Sequence, residues 1–138
     1  MDITVKNLQS KIPIPVFKIK SLVRKVVDDL HRRDLWKGLK EVSFVFVGSK
    51  RMRSINKDFL GHDYVTDVLT FDLGSMAEII ICPSTARMNA KTHGALLEHE
   101  ILLYVVHGLL HLAGYDDHSA TDIERMRLKE QQLLKKFL

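Results

Sequence analysis

The spacing of apolar residues along the chain predicts most of its elements. From Asp2 to Asn7, Ile3 and Val5 alternate with Thr4 and Lys6, the two-residue period of a half-buried edge strand. Pro13 and Pro15 then mark a loop and a helix start. From Val16 to about His31, Val16, Ile19, Val23, Val26, Val27 and Leu30 return at helical spacing, and Lys18, Lys20, Arg24 and Lys25 take the other faces. This predicts an amphipathic helix laid over a core, its basic side chains solvated. Glu41 to Val47 is apolar on both faces and reads as a central strand. Gly48 and Ser49 close it, and Ser49 is placed to cap a helix from about Lys50 to Phe59.

Two further strands follow, Thr66 to Phe71 and Ala77 to Ile81, joined through a turn at Gly74-Ser75. Pro83 opens a helix to about Thr92, and Gly94 breaks it. The next run, with Ile101, Leu102, Leu103, Val105, Val106, Leu109, Leu110 and Leu112, is apolar nearly all round, as a helix buried in a core is. Thr121-x-x-Glu124 has capping-box spacing. Ile123, Met126, Leu133, Leu134 and Phe137 supply one face of a terminal helix. The order β, α, β, α, β, β, α, α, α, without repeats or low-complexity linkers, predicts one α+β or α/β domain over residues 1–138, built on a single four-stranded sheet.

Composition narrows the class. The chain has 138 residues, 46% hydrophobic and 28% charged, which suits a globular domain with a proper core. No apolar run reaches the ~18 residues that span a bilayer. The N-terminus alternates like a strand and shows no basic-then-apolar signal pattern, so a cytoplasmic protein without membrane contact is expected. The single cysteine, Cys82, has no disulfide or metal partner of its own kind and reads as a small core hydrophobe. The net charge of +4 is compatible with an RNA partner but does not specify one.

The chemistry concentrates at the end of the apolar helix, in His107-Gly-Leu-Leu-His111-Leu-Ala-Gly114-Tyr-Asp-Asp117-His118. Residues four apart lie on one helix face, so His107 and His111 can converge on one metal ion. Gly114 can stop the helix, and the returning loop can bring a third ligand, either His118 or Asp117. Zinc with three protein ligands keeps a fourth position open. In zinc proteases the residue after the first histidine is a glutamate base; here it is Gly108, which weakens a proteolytic reading. Glu100, about 10 Å back along the helix, suits the favourable charge of a helix start. Asp116 either orients a ligand imidazole or makes the turn. His31, His62, His93 and His99 lack partners at ligand spacing and are expected at the surface.

At His107, Gly108, Leu110, His111, Leu112, Gly114, Tyr115 and Asp116 the chain resembles the YbeY-type endoribonucleases, whose signature reads His-Gly-x-Leu-His-Leu-x-Gly-Tyr-Asp-His. One extra Asp precedes the last histidine here. A second block also resembles that family: Asn56, Gly61, Asp63, Thr66, Asp67, Val68, Leu69 and Phe71 match, with conservative changes at Ile55, Phe59 and Thr70. The arginine that the family carries in this block falls on Leu60. The resemblance implies an α+β fold, a four-stranded mixed sheet flanked by helices, and a His-x-x-x-His metal helix. It implies a metal, zinc or another divalent transition ion, on His107, His111 and His118, with Asp117 in place of His118 if the loop does not bulge. It further implies an endoribonuclease of ribosomal RNA maturation, working with the small ribosomal subunit. Arg51 and Arg53, in the densest basic stretch, and Thr66 and Asp67 are the candidate substrate-binding residues. A noncatalytic RNA-binding assembly factor with a structural metal, and a metallopeptidase lacking its base, are the alternatives.

Overall fold

The structure, a computed structural model, describes residues 1–30 and 33–138, with side chains omitted at 33–35. Four strands form one sheet: β1 (Asp2–Asn7), β2 (Glu41–Phe46), β3 (Val68–Asp72) and β4 (Met76–Ile81), in the order β1-β2-β4-β3. β1, β2 and β4 run parallel, Val5 facing Phe44 and Phe44 facing Ile79. β3 returns antiparallel along β4 as a hairpin, Thr70 opposite Ile79. The sheet is therefore mixed, with β1 and β3 as its edges, as the alternation of Ile3 and Val5 predicts for β1.

Six helices accompany it among the described residues: α1 (Val16–Asp29), α2 (Arg33–Gly38), α3 (Ser49–Leu60), α4 (Pro83–His93), α5 (Leu97–Leu112) and α6 (Ala120–Phe137). Side chains alternate between the faces of a strand, and both faces of the central strands are covered. Val42, Phe44, Phe46, Ala77, Ile79 and Ile81 pack into the main core with residues of α1, α5 and α6. Val45, Val47, Leu69, Ile80 and Cys82 form a smaller cluster with Met52 of α3 on the opposite face. This two-sided burial explains why β2 carries no period-two alternation. The buried Cys82 is a core residue, as its isolation suggests.

The boundaries depart from expectation in physically readable ways. α1 ends at Asp29, and His31 lies outside the described residues. The six-residue α2, for which no periodic signal is visible, precedes β2. Gly48, not Ser49, is the N-cap of α3, and no side chain caps that end. α6 begins before the capping-box spacing at Thr121: its cap is Ser119, whose Oγ accepts from the Asp122 N–H at 3.1 Å. No single helix among the described residues is long and apolar enough to cross a membrane.

Candidate metal centre

α5 owes its place to its composition. Ten of its sixteen residues are buried, and at Gly108 it approaches the sheet so closely that a Cβ would stand 2.7 Å from Ile79 Cγ2. Position 108 faces β4 and the core. A side chain there would have to displace Ile79, so packing as well as sequence weighs against a glutamate base at this position. His107 and His111 emerge on another side of the helix, at the margin of the core, and both are half-buried.

The two imidazoles meet through their Nε2 atoms, 3.1 Å apart, with the rings nearly perpendicular. After Ala113 the helix ends at Gly114, whose φ of 99° is the left-handed turn that glycine adopts without strain. The Tyr115 N–H then bonds back to the Leu110 carbonyl at 3.0 Å. This tight reversal brings Asp117 Oδ2 to 3.7 Å from His111 Nε2. Among the described residues, the donor atoms of His107, His111 and Asp117 form one group, all within 4.8 Å of one another.

His118, the residue expected to complete the set, is not a member of this group. The loop that carries the extra Asp is exposed from Asp116 to His118. Its turn is closed by the His118 N–H bonding to Asp116 Oδ1 at 3.4 Å, and His118 is left exposed. Its side chain remains on the wall of the same cleft. Asp116 thus makes the turn.

The outer nitrogens of both rings are held. His107 Nδ1–H donates to Glu130 Oε2 of α6 at 2.8 Å, since an ionised carboxylate can only accept. The remaining His107 nitrogen, Nε2, is thereby left as a lone pair turned toward His111. The backbone of Tyr115 hydrogen-bonds the His111 ring. Burial disfavours charge on His107, but the hydrogen bond and charge of Glu130, aided by Asp67 and Asp117, outweigh it and raise the imidazole above its ordinary range. Burial and then the charge of His107 hold His111 below its ordinary range. Two nitrogens bound to one tetrahedral ion at about 2.05 Å would stand roughly 3.3 Å apart. The 3.1 Å between the two nitrogens is close to that value, Asp117 lies within 4.8 Å of both, and two imidazoles with a carboxylate are donor types that suit a divalent transition metal.

Glu130 is the functional residue that the apolar pattern passes over. It is buried, on the same stripe of α6 as Met126, Leu133 and Leu134. A carboxylate set at helical spacing within such a stripe needs a buried partner, and that was the available signal. Glu100 lies in the first turn of α5, as the helix-start reading expects, and is also buried, with His93 Nδ1 3.4 Å away. His93 itself, with His62 and His99, is exposed as expected.

A cleft of about 490 Å³ opens beside the donors, between β3 and the end of α5. Its walls include Leu60, Val68, Thr70, His111, Asp117 and His118. The candidate substrate residues are spread more widely. Asp67 Oδ1 accepts from the Val68 N–H at 2.8 Å and from Thr66 Oγ1 at 3.3 Å, bonds that start β3, while its charge still reaches His107. Arg53 Nε donates to Asp63 at 2.8 Å. Arg51 belongs to another cleft, of about 760 Å³, with Lys11, Lys50 and Ser54.

Fold and site together define the class: an α+β domain with a histidine and carboxylate cluster, able to hold a metal ion, at the edge of its sheet. The profile of the family described as Endoribonuclease YbeY matches residues 4–138, and the chain belongs to that family. A relative of that name from Bdellovibrio bacteriovorus is 34% identical over 134 residues, which cover 93% of this chain and 88% of the relative. Another, from Elusimicrobium minutum, is 40% identical over 100 residues, 66% of this chain and 68% of its own length. The chain is also similar to a Thermotoga maritima protein known from its solution structure, with a TM-score of 0.68 and 27% identity, over 99% of this chain and 89% of that one.

Proposed function

We propose that residues 1–138 form a single metal-dependent endoribonuclease domain, cytoplasmic, that uses zinc to cleave ribosomal RNA as the small ribosomal subunit matures. The convergence of His107, His111 and Asp117 at a cleft, in a chain of this family, carries the reading. These three residues would hold the ion. When bound, such an ion supplies Lewis acidity toward a phosphoryl oxygen and makes water more acidic. Glu130 and the Tyr115 backbone fix the two rings so that their inner nitrogens present lone pairs. His118, on the cleft wall but outside the donor group, is placed to exchange a proton with a reacting RNA oxygen.

The cleft walls also carry Asp72 and Asp116, no lysine and no arginine, with Leu60 where the family has its arginine. Their own charge repels a phosphodiester, so RNA enters this cleft only in the metal-loaded protein. The missing arginine favours one alternative, a noncatalytic RNA-binding assembly factor whose metal is structural. The deciding experiment incubates single-stranded ribosomal RNA fragments with zinc-loaded and chelator-stripped protein. Cleavage by the loaded protein alone supports the nuclease. RNA that is bound but intact in both samples supports the assembly factor.

A further inference from the structure

The end of α3 and the loop behind it expose large apolar and aromatic side chains beside the metal cleft. Phe59 is 71% exposed, Leu60 48% and Tyr64 55%. Single exposed apolar residues need no explanation, but these are braced. Phe59 stands edge-on against Phe71 of β3, ring centroids 5.7 Å apart. Tyr64 lies flat on His62, 5.3 Å between centroids and 10° between planes, and its hydroxyl is 3.2 Å from His62 Nδ1. The loop that carries the pair is tied down at three points. His62 N–H donates to the Asn56 carbonyl, Asn56 Nδ2 to the Tyr64 carbonyl, and Arg53 to Asp63. Leu60, between the two aromatic units in sequence, forms part of the cleft wall with His111 and His118.

We infer that Phe59 and the His62–Tyr64 pair form a stacking platform for unpaired bases of the RNA strand whose phosphodiester enters the metal cleft. The inference rests on the proposed nuclease reading and adds to it the surface that grips the strand. Rigid, exposed rings offer faces to bases, and bases stack on them whatever the sequence. The same helix carries Lys57, exposed and near enough to the loop for its charge to act on Asp63, and this positive charge beside the rings suits a polyanion, which an apolar protein partner would not require. Leu60, the chain neighbour of Phe59, lines the cleft, and Phe71, the ring against Phe59, lies on β3 with the cleft residues Val68 and Thr70. Stacking supplies, by ring contact, hold on the strand that an arginine at position 60 would have given by charge. A base-paired strand keeps its base faces covered and gains nothing from it.

The test compares zinc-loaded wild type with Phe59→Leu and Tyr64→Leu, which keep apolar bulk and remove the ring. Fluorescence anisotropy is read on a single-stranded RNA of about 12 nucleotides and on its duplex. The platform predicts that each variant binds the single strand about tenfold more weakly, with the duplex changed less than twofold and metal content unaltered. Variants that bind the single strand as wild type does overturn the platform and leave the nuclease reading standing if wild type still cleaves. Equal weakening on single strand and duplex overturns it as well, because the loss is then not one of base stacking. Wild type that binds neither RNA overturns the platform and the nuclease reading together.

Discussion

Two nitrogen–carboxylate pairs in this molecule have the same length and different environments. His107 meets Glu130 at 2.8 Å, with side-chain exposures of 27% and 10%. Arg53 meets Asp63 at 2.8 Å, with exposures of 57% and 53%. Water screens the second pair and competes for its hydrogen bonds, so it organises a loop and adds little stability. The first is partly desolvated, and each partner depends on the other to satisfy a buried group. Equal distance therefore says nothing about equal value. Burial turns the His107–Glu130 contact into a device that decides where a ring nitrogen points.

The largest effect expected from breaking the comparison is at Glu130. Glu130→Ala weakens metal affinity about 10–100-fold, by chelator competition, and the metal-free fold loses about 1–3 kcal/mol. Glu130→Met sharpens the point. An apolar side chain on that stripe keeps the metal-free melting temperature at or above wild type while the affinity loss persists. Parallel recovery of both quantities in Glu130→Met would mean that Glu130 only packs.

The buried side of the comparison continues to Gly108, where a methyl group meets Ile79. Gly108→Ala is expected to cost about 1–3 kcal/mol in denaturant unfolding.

A smaller effect is a pH dependence. In the metal-free protein, burial opposes charge on His107, but Glu130 raises its folded pKa above the ordinary 6.5. Its contribution to stability is thus complete below about pH 6.5 and is lost as pH rises through the raised value. His111 is lowered by burial and by His107, and has the opposite sign: its contribution is present above about pH 6.5 and is lost as pH falls through the lowered value. Coordination needs neutral rings, so metal affinity starts to fall at a pH above 6.5 on acidification. Glu130→Gln moves that onset to lower pH, read by metal titration across pH.

Least of all, Arg53→Ala or Asp63→Ala leaves the melting temperature unchanged at physiological salt.

The same contrast explains what could be read from residue order. Period and punctuation located the four strands, the His-x-x-x-His helix and the edge position of β1, because each depends on its own local pattern of burial. Glu130 was legible only as an interruption of the stripe of Met126, Leu133 and Leu134. Its partner lies 23 residues away, and no local spacing announces it. The choice between Asp117 and His118 hinges on the loop after Gly114, where one extra Asp before His118 changes which side chain stands at the returning position. Thr121 and Glu124 imitate a capping box, yet Ser119 caps α6 by accepting from the Asp122 N–H. The arginines were candidate substrate ligands by their charge. The fold disperses them, Arg53 to Asp63 and Arg51 to a separate cleft.

The central claim is that His107, His111 and Asp117 hold the metal while His118 stands apart from it. Zinc content per chain, measured on wild type, His107→Ala, Asp117→Ala and His118→Ala with RNA cleavage assayed on the same samples, tests it most directly. The account predicts one ion in wild type, loss of ion and cleavage in His107→Ala and Asp117→Ala, and a full ion with slowed cleavage in His118→Ala. An ion retained in Asp117→Ala and lost in His118→Ala would contradict it.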